Sequence, residues 1–264
     1  MINQIDNWLW FKANAATRYF VLYFMSGRTG FYPLVNEYPK SGGSWFAQML
    51  SELLELPFPR NRLPMLGSSM MHGHYRYSER LKDVSIVWRD GRDVMVSWYY
   101  HRVKGNELSS ANMSSEIAGK LGIKDVMDVE SNLPRFIEYT ATSTMQPRFS
   151  WSDFVDQWHG KDCFFTRYED LLVDPVTELR SALRWYGVET ISEKKLIEVV
   201  EEFSFKNLSG RKPGAENNSS YLRSGTAGGW KSKFSPEAKE VFAHYYGDSL
   251  IKLGYEADAS WLKK

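Results

Sequence analysis

The run Tyr38-Pro39-Lys40-Ser41-Gly42-Gly43-Ser44-Trp45 sets a lysine, two hydroxyls and two glycines within five residues. Residues of these types can grip an anion. Small residues let successive backbone N–H groups turn toward one point, and the lysine adds a full positive charge. The apolar residues Trp45, Phe46, Met49, Leu50, Leu53 and Leu54 then repeat at helical spacing. A helix therefore opens at the loop, and its N-terminus adds a partial positive charge. Such a loop suits a phosphate, most often a nucleotide's. The plain alternative is a helix entry, with Ser44 as N-cap and Gly42-Gly43 as a turn.

Three further blocks carry polar chemistry. In Arg89-Asp90-Gly91-Arg92-Asp93-Val94-Met95-Val96-Ser97 a strand ends and a helix follows. A guanidinium and a hydroxyl so placed can hold one phosphate from two sides. A surface turn of Arg–Asp pairs capping a helix is the competing reading. Arg167-Tyr168-Glu169-Asp170-Leu171 closes another strand, and Leu222-Arg223-Ser224-Gly225-Thr226-Ala227-Gly228-Gly229-Trp230-Lys231 reads as a basic, glycine-rich loop. Trp45 and Tyr168, taken alone, are core aromatics. Between the first two blocks stand His72 and His74, in Met70-Met71-His72-Gly73-His74-Tyr75. Strand alternation would turn both to one face. Histidine suits general-base work near neutral pH, although either ring could equally be a hydrogen-bonded structural histidine.

In order and spacing, the four blocks from residue 38 to residue 231 resemble the signature segments of the cytosolic-type sulfotransferases that use 3′-phosphoadenosine-5′-phosphosulfate (PAPS). The first block resembles their 5′-phosphosulfate loop and lacks the G-x-x-x-x-G-K-[ST] spacing of a Walker loop. The resemblance implies sulfuryl transfer to an acceptor hydroxyl or amine, leaving 3′,5′-adenosine diphosphate. It implies that Lys40 meets the charge on the leaving group and that Ser41, Gly42, Gly43 and Ser44 hold the 5′-phosphate. Arg89 and Ser97 take the 3′-phosphate, with Arg223, Ser224 and Gly225 of the late loop. Ser224 stands where the family usually has lysine, which weakens the positive field there. Trp45 and Tyr168 serve the adenine. The family's base aligns with His74, and His72 is the second candidate because the register is ambiguous by two residues. No metal is required. The implied fold is α/β, a single domain with a central, mostly parallel sheet flanked by helices, related to P-loop nucleotide kinases.

The bulk properties agree with that frame. The chain has 264 residues, 25% of them charged and 43% apolar, which is enough for a large buried core. A net charge of +1 gives no electrostatic case for nucleic acid as a partner. Cys163 is the one cysteine, so no intrachain disulfide is possible, and a reducing, cytoplasmic setting is expected. The longest apolar run near the N-terminus, Tyr19 to Met25, is far short of the roughly 20 residues a membrane span needs. Acidic Asp6 precedes it, against a secretory signal.

The positioning elements can be read as well. Residues 1–34 form an aromatic-rich, partly helical extension, and residues 35–264 form the catalytic domain. Trp8-Leu9-Trp10-Phe11 and Tyr19–Phe24 could lie on a membrane surface, but packing against the core or a subunit contact is the leading expectation. Short strands are expected at residues 35–38, 70–77, 84–88 and 162–168, and helices at 93–101 and 151–158. Asp174-Pro175 starts a helix that Gly187 stops, and Ser235-Pro236 starts the last one, with Val241, Phe242, Tyr245 and Tyr246 inward. Residues 104–132 form a long loop or short helices over a pocket. The acceptor, expected to be a small or lipophilic molecule, should bind near His74, Trp98, Tyr99, Tyr100 and residues 104–150. A kinase and a catalytically silent binding protein are the rival readings. The family's dimer motif keeps its ends at Lys231 and Glu240, but Ser235-Pro236 replaces its middle, so oligomeric state stays open.

Overall fold

A computed structural model describes residues 2–60, 62, 67–143 and 147–263, with side chains from residue 9 onward. The expectation for Trp8 therefore lies outside the described side chains. The helices are α1 (Ile2–Phe20), α2 (Gly43–Leu53), α3 (Gly91–Tyr99), α4 (Ala111–Lys120), α5 (Val129–Thr142), α6 (Trp151–Trp158), α7 (Tyr168–Val173), α8 (Pro175–Trp185), α9 (Glu193–Glu202), α10 (Phe205–Ser209) and α11 (Pro236–Lys252). The strands are β1 (Leu34–Glu37), β2 (Met71–Gly73), β3 (Val84–Trp88) and β4 (Phe164–Arg167). They form one parallel sheet in the order β2-β1-β3-β4. The expected α/β fold with a parallel sheet flanked by helices is thus present.

The chain order reverses between β1 and β3, so the loops after these two strands leave the same edge of the sheet. In parallel sheets, ligands bind at such switch points, beyond the carboxyl ends of the strands. Every residue of β1 and β3 is buried, as strands covered on both faces should be.

The chain groups into two compact units. One comprises Met1–Glu37, Gly42–Trp88 and Asp162–Ser204, and the other Tyr38–Ser41, Arg89–Lys161 and Phe205–Lys264. The first holds the sheet. Its core joins Val35, Val87, Phe46, Leu50, Leu171, Leu183 and Leu196 from strands and helices. Caps fix its helices where the sequence placed them: Asp174 accepts from the N–H of Thr177 at the head of α8, with Pro175 in the first turn. The chain of α1 runs on into a π-helical turn, Val21–Met25.

The second unit is helical. Trp151, Phe154 and Trp158 of α6 are fully buried, as are Phe242 and Tyr246 of α11. Val241 and Tyr245, expected inward, are only half-buried. Ser150 and Asp153 form a reciprocal capping box on α6. The helix expected over 93–101 begins two residues earlier and continues as a π-helical turn, Tyr100–Lys104. Residues 104–132 hold α4 and the start of α5.

Gly91 opens α3 against this core. A methyl group there would stand 2.8 Å from Trp151 and 2.9 Å from Phe242, closer than side chains tolerate. Gly91→Ala is therefore expected to cost about 1–3 kcal/mol of stability, as overpacked cores do. Thermal and urea melts of the variant check this, and an unchanged midpoint would contradict it.

Candidate active site

The loop between β1 and α2 has an unusual backbone. Lys40 takes a left-handed conformation, with φ at 75°, and Gly42 follows at 95°. A lysine in that region is rare and marks a shape held by its surroundings. Gly42, not Ser44, is the N-cap of α2, and having no side chain it makes no capping bond of its own. The glycines are demanded by neighbours. A Cβ on Gly42 would lie 2.5 Å from the Tyr168 ring, and one on Gly43 would lie 2.8 Å from the Glu37 carboxyl carbon. Tyr168 therefore covers the loop as the first residue of α7. Trp45 meets it edge to face at 6.1 Å and donates from Nε1 to the carbonyl of Phe203 at 2.7 Å.

Glu37 is the functional residue that the sequence reading missed. It ends β1, is 2% exposed, and accepts from the N–H of Gly43 at 2.5 Å through Oε2. One amide of the anion loop is thus held by the chain's own carboxylate. Oε1 of Glu37 lies 3.0 Å from Nε2 of His72, which is also 3.5 Å from Oγ of Ser44. Burial pushes the Glu37 carboxyl up. The hydrogen bond from His72, the charges of His72 and His74 and the Gly43 N–H outweigh it, so the group sits below the usual glutamate range.

His74 follows β2 and is solvent-exposed. Its Nδ1 lies 2.9 Å from the carbonyl of Glu37. A carbonyl oxygen only accepts, so Nδ1 carries the proton and Nε2 is the basic nitrogen of the neutral ring. The two imidazoles stand 5.5 Å apart. Both candidate bases and the hydroxyl of Ser44 are therefore gathered around the end of β1. The carboxylate only accepts, so Nε2 of His72 donates to Glu37.

In the second unit, Arg89 donates from Nη1 to the carbonyl of Lys40 at 2.9 Å and from Nη2 to the carbonyl of Thr226 at 3.3 Å. Three of the predicted blocks meet through that one guanidinium. The rest of the Arg89–Asp93 block is structural, as the helix-capping reading expected, but it is buried rather than on the surface. Asp90 accepts from the N–H and Nε of Arg92, and Arg92 lies 3.9 Å over the Trp230 ring. Asp93 accepts from the N–H groups of Gly228 and Trp230, which pins the late loop to α3. Ser97 is half-buried on α3, and Ser41 is buried.

The late loop is shaped by residues the sequence did not single out. Arg211 donates to the carbonyls of Leu222 and Arg223. Gly225 has φ 63°, and a Cβ there would stand 2.3 Å from the Phe205 ring. Arg223 is buried, pairs with Glu216 at 2.5 Å and lies 4.9 Å over the Tyr100 ring, and its Nε has no hydrogen-bond partner among the described residues. Ser224 is buried and accepts from the Thr226 hydroxyl. Lys40 places its ammonium 3.6 Å from the centre of the Tyr221 ring.

In the region expected near the acceptor, Trp98, Tyr99 and Tyr100 are buried core residues. Tyr99 donates to the carbonyl of Val126 at 3.1 Å, and Trp98 stacks on His101. A cavity of about 630 Å³ does lie among residues 103–126, but Asn106, Glu107, Ser109 and Ser114 line it rather than aromatics. The aromatic side chains went to the core because their large apolar area is worth most there.

The family model described as the sulfotransferase domain matches residues 74–254, a span that starts after the first loop. Sulfotransferase 1A1 of Rattus norvegicus is 22% identical over 270 residues, covering 84% of this chain and 86% of that one. Sulfotransferase 1C2 of Homo sapiens is 31% identical over 112 residues, 37% of each chain. Among solved structures, mouse sulfotransferase SULT7A1 complexed with PAP has a TM-score of 0.64 at 17% identity, covering 96% of this chain and 95% of that one. Retinol dehydratase in a complex with retinol and PAP has a TM-score of 0.57 at 15% identity. These structural likenesses concern the fold. The chain belongs to the sulfotransferase domain family, whose model covers more than half of it.

The Glu37 network makes a pH prediction. A native carboxylate held below the ordinary value of about 4.3 stabilises the fold above that pH, and the contribution is lost as pH falls through the native value. Glu37→Gln is expected to lower stability by about 1–3 kcal/mol at neutral pH, the scale of a charge-assisted hydrogen bond. The gap to the parent chain should shrink as urea melts are repeated toward acid. A gap that is constant with pH would contradict the charged-network reading.

Proposed function

We propose that the chain transfers the sulfuryl group of PAPS to a hydroxyl or amine of a small or lipophilic acceptor, in the cytoplasm. The bond from Arg89 to the carbonyl of Lys40 carries this reading, because it joins the two blocks that the family resemblance gives to the two phosphates. The residues fit such a ligand in their chemistry. Lys40, Arg89 and Arg223 supply positive charge, and the buried Nε of Arg223 is an unused donor among the described residues. Ser41, Gly42, Gly43 and Ser44 are assigned to the 5′-phosphate. Arg89, Ser97, Arg223, Ser224 and Gly225 are assigned to the 3′-phosphate, and Trp45 and Tyr168 to the adenine.

Bound PAPS supplies a sulfur whose bond to the 5′-phosphate oxygen breaks as the acceptor oxygen bonds to it. His74 takes the acceptor's proton on Nε2. The Glu37 carbonyl holds the proton of the neutral ring on Nδ1, which leaves Nε2 as the basic nitrogen. Lys40 meets the charge that grows on the 5′-phosphate oxygen. His72, tied to Glu37, is the second candidate for the base, and its bonds to the carboxylate and to Ser44 suit it better to positioning the loop. The positive charge in this account comes from side chains, so no metal is given a role.

The test is transfer from labelled PAPS to a panel of phenols, alcohols and amines. His74→Ala should lower kcat by about a hundredfold or more while 3′,5′-adenosine diphosphate still binds. Lys40→Ala should lower kcat by roughly 10² to 10³ at saturating PAPS, the scale of one lost charge-stabilising donor. Full turnover by His74→Ala across the panel would remove His74 as the base. A parent chain that binds the bisphosphate but transfers to no acceptor would be a silent homologue.

A further inference from the structure

The polarity of α1 is inverted. Asn14 and Arg18 face inward and are buried, and Arg18 donates to the carbonyls of Arg60 and His72. Leu9, Ala13, Ala16 and Phe20 face outward at the spacing i, i+4, i+7, i+11, which is one helical stripe. Leu9, Trp10, Phe11, Tyr19, Phe20 and Phe24 are between 41% and 72% exposed. For these residues the expectation of packing on the core is corrected, while a subunit contact is the rival occupant. A continuous outward apolar stripe is a contact surface, not an ordinary scatter of exposed side chains.

We propose that α1 and the π-helical turn after it dock on an anionic lipid surface, lying in the plane of the bilayer interface. Charge selects this occupant. Residues 7–36 contain no acidic residue but do contain Lys12, Arg18 and Arg28, and Lys12 and Arg28 are exposed. Exposed Arg80 adds a guanidinium 5.6 Å over the Phe24 ring, beside the same stripe. Asp6 near the start of α1 is the one acidic residue of the helix, so the exposed stretch that follows it is purely cationic, and a second copy would bring the same cations to the contact. Against lipid phosphate, Lys12 can bury its stem and extend its ammonium to the headgroups. The aromatic rings also suit this setting. Trp10, Tyr19 and Tyr23 have an apolar body with a polar tip, the form that settles at a membrane–water boundary. No helix of the described residues is long and apolar enough to cross a membrane, so the contact is along the surface.

The test is co-sedimentation of the full chain with phosphatidylcholine vesicles and with mixed phosphatidylcholine–phosphatidylserine vesicles. The chain should pellet with the mixed vesicles, less with the neutral ones, and less as salt rises. Phe11→Ser combined with Phe20→Ser should weaken binding by about tenfold or more, since burying apolar surface drives insertion. Lys12→Glu combined with Arg28→Glu should weaken binding to the anionic vesicles by at least about fivefold for each cation removed. Circular dichroism and PAPS transfer should be unchanged in both variants, because none of these residues is part of the active site. The proposal is overturned if the parent chain stays in the supernatant with anionic vesicles, or if both variants pellet as it does. It is also overturned if sedimentation equilibrium finds a dimer that the Phe11 and Phe20 substitutions dissociate, because a second copy would then be the occupant.

Discussion

Burying a carboxylate is costly unless donors surround it, and Glu37 sits fully buried at the end of the central strand. The site is organised around meeting that cost. The N–H of Gly43 turns in to one oxygen and His72 turns in to the other. The backbone carbonyl of the same residue fixes the tautomer of His74. Gly43 must be a glycine because the carboxyl group leaves no room for a Cβ. One acidic side chain thus sets the first turn of α2, the pitch of the anion loop and the orientation of two imidazoles.

In the second unit the same logic runs with the signs reversed. Buried arginines are held by carbonyls, carboxylates and ring faces. Arg92 is satisfied completely enough, by Asp90, Glu256 and two tryptophans, to act as a strut. Asp93 fixes the late loop to the start of α3, and Arg211 holds the loop's carbonyls from the other side. Arg89 instead donates to backbone carbonyls, and Arg223 pairs with Glu216 and lies over the Tyr100 ring. Where the family usually has a lysine, buried Ser224 receives a hydroxyl bond from Thr226. The positive field of this loop therefore rests on its arginines.

Much of this was legible in the residues because it depends on local rules. The caps at Ser150, Asp174 and Ser235 sit where their side chains and the following prolines or acids require. The helix at 151–158 follows from its aromatic period. The Glu37 network was not legible, since it joins residues 35 to 37 positions apart through side-chain contact. That the aromatic run 98–100 lies in the core was not legible either, because composition does not say which apolar surface is buried. The same ambiguity hid the outward face of α1. Its period is plain in the sequence, but only Arg18 bonded to two inner carbonyls shows which side is the inside. The π-helical extension of α3 has no sequence signal that we can name.

The central claim is that these loops bind a nucleotide carrying phosphates on both its 3′ and 5′ positions. Calorimetric titration with 3′,5′-adenosine diphosphate, beside 5′-AMP and ATP with magnesium, tests it most directly. The account predicts selective, tight binding of the bisphosphate, with 5′-AMP much weaker because Arg89 and Arg223 lose their ligand. Equal affinity for 5′-AMP, or a preference for ATP with magnesium, would contradict it.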